Sequence, residues 1–415
     1  MNRHSRSDVR NYAIVTLAYW ADTLADGAIR MLVLFYFYNL GYSALQVASL
    51  FLLYEIFGIV TNLCGGYLAS RFGLKSTLYM GLSSQILALA MLALMPAALL
   101  TSGYVMVSQA LSGIAKDLTK MSSKSAVKVV AGKTEDRLFR WVTLLTGSKN
   151  ALKGVGFFLG GLLLSLIGFQ ASVWVILAVV ALALIASILL MQGEMGLVNK
   201  TLKFRHMFSR NRAVNVLAVA RLFLFGARDV WFVVALPVFL STVLGWQFWQ
   251  TGGFMAIWVI GYGAVQASAP ALLRRKGRVN PEGITATGLA FVLALFPATI
   301  AGALVMGLTP GIVVVGGLIV FGFIFALNSA VHSYLILAYA DHDKVAMNVG
   351  IYYMANACGR LVGTVLSGWL YQIGSRLGTN DGLLWCLVAS SVFLVITAAI
   401  SLALPTKPRA CAITT

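Results

Sequence analysis

Charge is scarce in this chain: 11% of its 415 residues are Asp, Glu, Lys or Arg, against about 25% in an average soluble domain. Acid is scarcer still, with 13 Asp and Glu against 31 Lys and Arg. Cysteine is nearly absent. Cys64, Cys358, Cys386 and Cys411 are scattered and form no C-x-x-C pair, which argues against a disulfide framework or a zinc site. No H-E-x-x-H and no G-x-S-x-G occurs, so the common hydrolase signatures are missing. The G-x-G at Gly154–Gly156 has no strand before it and is not a nucleotide loop. The reading is of a chain with no metal, no cofactor and no catalytic residue. The basic N-terminus leads straight into a full-length apolar segment, without a short h-region or an A-x-A site, so no cleaved signal peptide is expected.

What is present in abundance is apolar sequence. Hydrophobic residues make up 60% of the chain and mean hydropathy is +0.87. Runs of about 20 apolar residues are long enough to cross a bilayer, and they recur from Ala13 to Leu404. The expectation is an all-α membrane protein with twelve transmembrane helices, near 11–38, 44–69, 76–100, 103–129, 138–168, 171–192, 213–243, 250–273, 284–307, 310–339, 346–376 and 382–404.

The connections alternate in charge. Arg71 and Lys75, Lys133 and Arg137, Lys200 to Arg212, and Arg274 to Arg278 follow the even-numbered segments, while those between carry no Lys or Arg except near Arg376. By the positive-inside rule this places both termini in the cytoplasm and the protein in the inner (cytoplasmic) membrane. The net charge of +18 is therefore that of short loops and apolar segments, not of a nucleic-acid-binding face.

The longest hydrophilic stretch divides the chain into an N-terminal six-helix bundle (1–192), a cytoplasmic loop (193–212) and a C-terminal six-helix bundle (213–415). The halves are weakly alike. Gly41-Tyr42-x-x-x-Gln46 matches Gly245-Trp246-x-x-x-Gln250, and Lys153, Gly156 and Gly161 match Arg360, Gly363 and Gly368 at the same spacing. Two related six-helix halves resemble the major facilitator arrangement, in which substrate binds near the membrane midplane. The loop after the second segment resembles that superfamily's G-x-x-x-D-R-x-G-R-K signature in Gly66, Arg71, Gly73 and Lys75, a gating loop, and departs from it at Ser70 and Leu74.

Ionisable residues inside the apolar segments are the chemical signal. Lys116, Lys120, Lys124 and Lys128 recur every four residues, and Lys149 and Lys153 repeat that spacing; residues four apart share a helix face. Asp22, Asp26 and Arg30 do the same in the first segment. A charge at bilayer depth costs about 2.5–3.5 kcal/mol or more, so each is a functional candidate. Nine cations (Arg30, Lys116, Lys120, Lys124, Lys149, Lys153, Arg221, Arg228, Arg360) face five acids (Asp22, Asp26, Glu55, Asp117, Asp229). A surplus of buried positive charge is offset most simply by a polyanionic passenger. Asn150 and Asn356 lie beside these cations as further binding candidates, and Asp22 and Asp26 are the candidates for carrying protons. His332 is expected to be packed or hydrogen-bonded, and the glycines of the fifth and eleventh segments to let helices approach closely.

Four segments carry a closer likeness: Ser112–Lys124, Gly147–Gly156, Leu224–Pro237 and Tyr352–Arg360. They resemble the ArsJ family of organoarsenical efflux permeases. That resemblance implies a monomeric secondary transporter in the lipid bilayer. It implies export of 1-arseno-3-phosphoglycerate, the ester made when glyceraldehyde-3-phosphate dehydrogenase uses arsenate in place of phosphate. The residues alone give only a polyanion. They leave open an organophosphate or phosphate antiporter and, from another class, a membrane-embedded enzyme acting on anionic lipid headgroups.

Overall fold

The computed structural model describes residues 3–96, 99–131, 135–192, 211–273, 282–339 and 345–405. Among them every regular element is a helix: α1 (Arg3–Asn39), α2 (Ala44–Leu50), α3 (Leu52–Phe72), α4 (Leu74–Leu94), α5 (Ser102–Ala131), α6 (Glu135–Leu190), α7 (Arg212–Phe232), α8 (Ala235–Thr242), α9 (Phe248–Leu273), α10 (Gly283–Val305), α11 (Pro310–Tyr339), α12 (Val345–Gly374) and α13 (Asp381–Ser401). Lipid offers no partner to a backbone amide, so a chain this apolar satisfies its N–H and C=O groups within helices.

The twelve expected segments map onto these elements. α2 and α3 together make the second, α7 and α8 the seventh. α6 holds both the fifth and the sixth, because Gly168 leaves helical geometry in its middle (φ 73°, ψ 179°). Among the described residues, seven stretches are long and apolar enough to span a membrane by length and composition alone. α1, α5, α9 and α12 fall outside that group; α1, α5 and α12 carry Asp22, Asp26 and Arg30, the lysine ladder, and Arg360.

The break between α7 and α8 has a local cause and a local remedy. Pro237 has no N–H to give to the preceding turn. The amides exposed there, of Val234 and Ala235, donate to Ser367 Oγ of α12 at 3.3 and 3.0 Å.

The first internal match is structural as well as sequential. Gly41 and Gly245 both take left-handed φ values, 89° and 67°, which a side chain would oppose. Gln46 Oε1 then accepts from the Ser43 amide and Gln250 Oε1 from the Gln247 amide, each at 2.8 Å. The same turn and the same side-chain cap thus start the helix after each match.

The chain forms two compact units: Met1–Phe204 with Leu240–Gly263, and Arg205–Phe239 with Ala264–Thr415. In the first, α1 packs against α6 with almost no side chain between them. A Cβ on Gly156 would collide with Leu24 O and sit 3.1 Å from the Ala28 amide. The start of α9 packs on α6 the same way, with Gly154 against Ala256 and Gly161 against Phe248, which places this segment in the first unit. In the second unit α12 approaches α7 equally closely. A Cβ on Gly363 would lie 2.8 Å from Gly226 O and from Asp229 Cβ, and one on Gly359 would collide with Leu222 O. The central loop 193–210, its basic residues, Lys133, Arg274 to Arg278 and Cys411 lie outside the described residues, as do the side chains of Gly66, Arg71, Lys124 and Lys128.

Candidate functional site

In the first unit the close approach of α1 brings its charged face against α3, α5 and α6. Asp22, Asp26 and Arg30 are 1%, 3% and 5% exposed. Their partners differ from the simple expectation that the two acids balance Arg30. Arg30 pairs instead with Glu55 of α3 at 2.9 Å, its guanidinium resting near the rings of Phe51 and Tyr54 at 5.1 and 4.9 Å. Asp26 takes the Tyr54 hydroxyl on Oδ1 and the Lys153 ammonium on Oδ2, the latter at 3.8 Å. Asp22 accepts from the Thr119 hydroxyl at 2.6 Å on Oδ2, while its buried Oδ1 has no partner among the described residues.

The lysine ladder of α5 splits into two roles. Lys120 pairs with Asp117 and donates to Asn62, and Asn62 Nδ2 donates to Asp117 at 3.1 Å, a closed triad. Lys116 enters no ion pair among the described residues. Its ammonium sits 4.0 Å from the centre of the Tyr54 ring, a cation–π contact. On α6, Lys149 and Asn150 are half-buried one turn before Lys153, and Trp20 Nε1 donates to Ser148 at 3.0 Å, tying this stretch to α1. Tyr54 joins the cluster through Arg30, Lys116 and Asp26, a role that sequence reasoning missed. The available signal was an aromatic residue beside Glu55 in a charged segment.

The second unit holds a counterpart. Asp229 of α7 is 1% exposed and shared by two arginines. Arg228 donates from Nε to Oδ1 at 2.6 Å, and Arg360 of α12 from Nε to Oδ2 at 3.3 Å. The neighbours Arg228 and Asp229 thus do touch, although adjacency in sequence does not require it. Arg228 also lies against Phe225, Phe232 and Phe325, at 4.7, 5.7 and 5.6 Å from ring centres. One α7 face further along, Arg221 donates to Asn356 Oδ1 at 3.1 Å and to Ser329 Oγ at 3.1 Å, and lies 3.9 Å from the Phe225 ring centre. It pairs with no carboxylate among the described residues.

The two clusters are built alike. Lys153 stands three residues before Gly156 and pairs with an aspartate of α1; Arg360 stands three residues before Gly363 and pairs with an aspartate of α7. The glycine removes the side chain that would hold the helices apart, and the cation one turn away then reaches the acid. The second sequence match is therefore a repeated ion pair.

Other expectations resolve plainly. His332 is buried, and neither ring nitrogen has a partner among the described residues; the same holds for both amide atoms of Asn328 and of Asn348. It is packed, not hydrogen-bonded. Lys75 lies 5.9 Å from the Tyr79 ring centre, and Gly73 takes φ 82° at the start of α4. Cys64, Cys358 and Cys386 are all free thiols.

The family described as Major Facilitator Superfamily matches residues 15–340. Solved structures of similar fold include one described as structural insights into substrate recognition in proton-dependent oligopeptide transporters, with TM-score 0.72, 14% identity, and coverage of 95% of this chain and 98% of that one. A second is a POT family transporter in complex with thioalcohol-conjugated peptide, with TM-score 0.72, 15% identity, and coverage of 94% and 95%. A third is a POT family transporter in complex with 5-aminolevulinic acid, with TM-score 0.75, 14% identity, and coverage of 94% and 96%. No curated protein matches the chain.

Proposed function

The chain belongs to the major facilitator superfamily, and we propose that this multi-pass membrane transporter exports an organic arsenate/phosphate ester, 1-arseno-3-phosphoglycerate, from the cytoplasm by alternating access. The protein then stands in the inner membrane as a monomer of two six-helix bundles, 1–192 and 213–415, with both termini and the loop 193–212 in the cytoplasm. The observation that carries the reading is the surplus of buried and half-buried cations within the helices. Lys116 and Arg221 sit in helices without a carboxylate partner among the described residues, and Asp229 is shared between two arginines. Uncompensated charge at this depth is costly, and a multiply charged anion relieves it.

Lys116, Lys149 and Lys153, with Asn150, are the oxyanion-binding groups of the first unit. Arg228 and Arg360, with Arg221 and Asn356, are those of the second. Arginine grips a tetrahedral oxyanion through paired N–H groups, whereas lysine supplies a point charge. Arg30 and Lys120 already hold Glu55 and Asp117, so they shape the seat and set its charge. Asp22, buried with one oxygen unpartnered among the described residues, and Asp26 beside it are the proton-coupling groups. Gly66, Arg71, Gly73 and Lys75 form the gating loop.

Supply of the ester by glyceraldehyde-3-phosphate dehydrogenase, and arsenate resistance as the outcome, follow from the resemblance to the ArsJ family. The deciding experiment is uptake by everted vesicles of the ester generated in situ from arsenate, with phosphate esters as competitors. Uptake that needs the dehydrogenase supports the reading. Uptake of phosphate esters at equal efficiency without it assigns the protein to organophosphate exchange. No anion uptake at all overturns both.

A further inference from the structure

We propose that Asp229 and its counterpart Asp26 are resident anions: each occupies cations that an anionic substrate must reach, and a substrate oxyanion displaces it from them. The proposal rests on the anion-export reading and adds to it the groups that set affinity and release.

The geometry is the same in both units. Asp229 is buried and is shared by Arg228 and Arg360, at 2.6 and 3.3 Å from their Nε atoms. Asp26 is buried and holds the Lys153 ammonium at 3.8 Å. Each acid belongs to the helix that a glycine of the partner helix lets approach, and each cation lies three residues before that glycine. A substrate oxyanion and these carboxylates therefore want the same donors.

The carboxylates are also held by other means, so each remains placed when its cation leaves. Asp26 keeps the Tyr54 hydroxyl. Asp229 has its Cβ against the backbone at Gly363. Arg228 keeps its aromatic faces and Arg360 its helix, so the cations stay in reach of both acid and ligand. A carrier that must release its cargo is better served by such a competitor than by bare arginines. Without it, these cations would bind a polyanion tightly and let go slowly. The charged groups facing Asp229 are Arg228 and Arg360, and those facing Asp26 are Lys153, Lys116, Arg30 and the carboxylate of Asp22.

The test uses the full-length protein in detergent, with 3-phosphoglycerate as a stable probe and inorganic phosphate as a second. Binding is measured by calorimetry, and release by dilution of labelled probe from proteoliposomes. Asp229→Asn keeps the size of the side chain and removes its charge; it is expected to bind 3-phosphoglycerate at least tenfold more tightly and to release it correspondingly more slowly, with slower net transport at saturation. Asp26→Asn is expected to do the same, and it decides the matter alone if Asp229→Asn does not fold. Equal or weaker binding by folded Asn variants, when the wild type binds the probe, overturns the resident-anion role and leaves the export reading standing. Failure of the wild type to bind either probe overturns both.

Discussion

Tyr54 shows how one side chain orders a charged cluster in lipid. Its hydroxyl goes to Asp26 and its ring lies near both Arg30 and Lys116. The cations around it are not equivalent, and mutation should separate them. Glu55→Gln removes the carboxylate that Arg30 holds at 2.9 Å. Breaking a buried pair by deleting one partner costs about 3–5 kcal/mol, so thermal unfolding in detergent should show a large loss of stability. Lys116→Gln removes a cation with no ion pair among the described residues, and its unfolding temperature should stay near wild type while anion binding falls. Loss of one such cation facing a doubly charged group costs about 2–4 kcal/mol, hence roughly 30-fold or more in affinity. Arg360→Gln should lose binding similarly. Calorimetric titration with 3-phosphoglycerate checks both, and unchanged affinity in both refutes their assignment to the seat.

At the scale of elements, the helix pairs α1–α6 and α7–α12 set the positions of the charges. Gly156 and Gly363 each leave room for a neighbouring backbone and nothing more. Gly363→Ala puts a methyl group 2.8 Å from Asp229 Cβ. Such overpacking typically costs about 1–3 kcal/mol. The prediction is a lowered unfolding temperature together with weakened anion binding, because separating α12 from α7 draws Arg360 away from Arg228, the other cation of the same proposed seat. The break between α7 and α8 offers a second test. Ser367→Ala leaves the amides of Val234 and Ala235 without their acceptor. A buried donor left unsatisfied costs about 1–3 kcal/mol, so stability should fall while affinity for the probe is retained. Equal stability of the variant would show that another group satisfies these amides.

At the scale of the whole molecule the question is what would drive the proposed export. Asp22 is buried among α1 and α5 side chains, with one oxygen unpartnered among the described residues. If it carries the proton, Asp22→Asn should still exchange substrate across proteoliposomes but lose accumulation driven by a pH gradient. Wild-type transport that ignores an imposed pH gradient would instead assign the drive to a counter-anion. The free thiols set a second expectation. Cys64, Cys358 and Cys386 form no metal-binding group among the described residues. A variant with Cys64, Cys358, Cys386 and Cys411 replaced by Ala should retain arsenate resistance, and the wild type should give no protection against arsenite. Loss of the first at normal expression, or gain of the second, would point to thiolate binding of trivalent arsenic.

Much of this was legible without coordinates because lipid imposes simple rules. Apolar length decided the helices, since a backbone in lipid has no other way to satisfy its hydrogen bonds. The repeated Gly-aromatic-x-x-x-Gln turn and the repeated cation three residues before a glycine were visible as spacing, and both are structural repeats. That charges lie within the helices was visible too, because the apolar segments that hold them have no other place to go. Partnership was not. Nothing in the order of residues says that Arg30 takes Glu55 and not Asp26, that Lys120 is closed off by Asp117 and Asn62 while Lys116 is left to a tyrosine ring, or that Asp229 serves two arginines. Ion pairs at 3 Å depend on how two helices rotate against each other. That rotation is decided by the packing of small residues contributed from distant parts of the chain, so only the tertiary structure shows which cations the protein has already neutralised and which it offers to an anion.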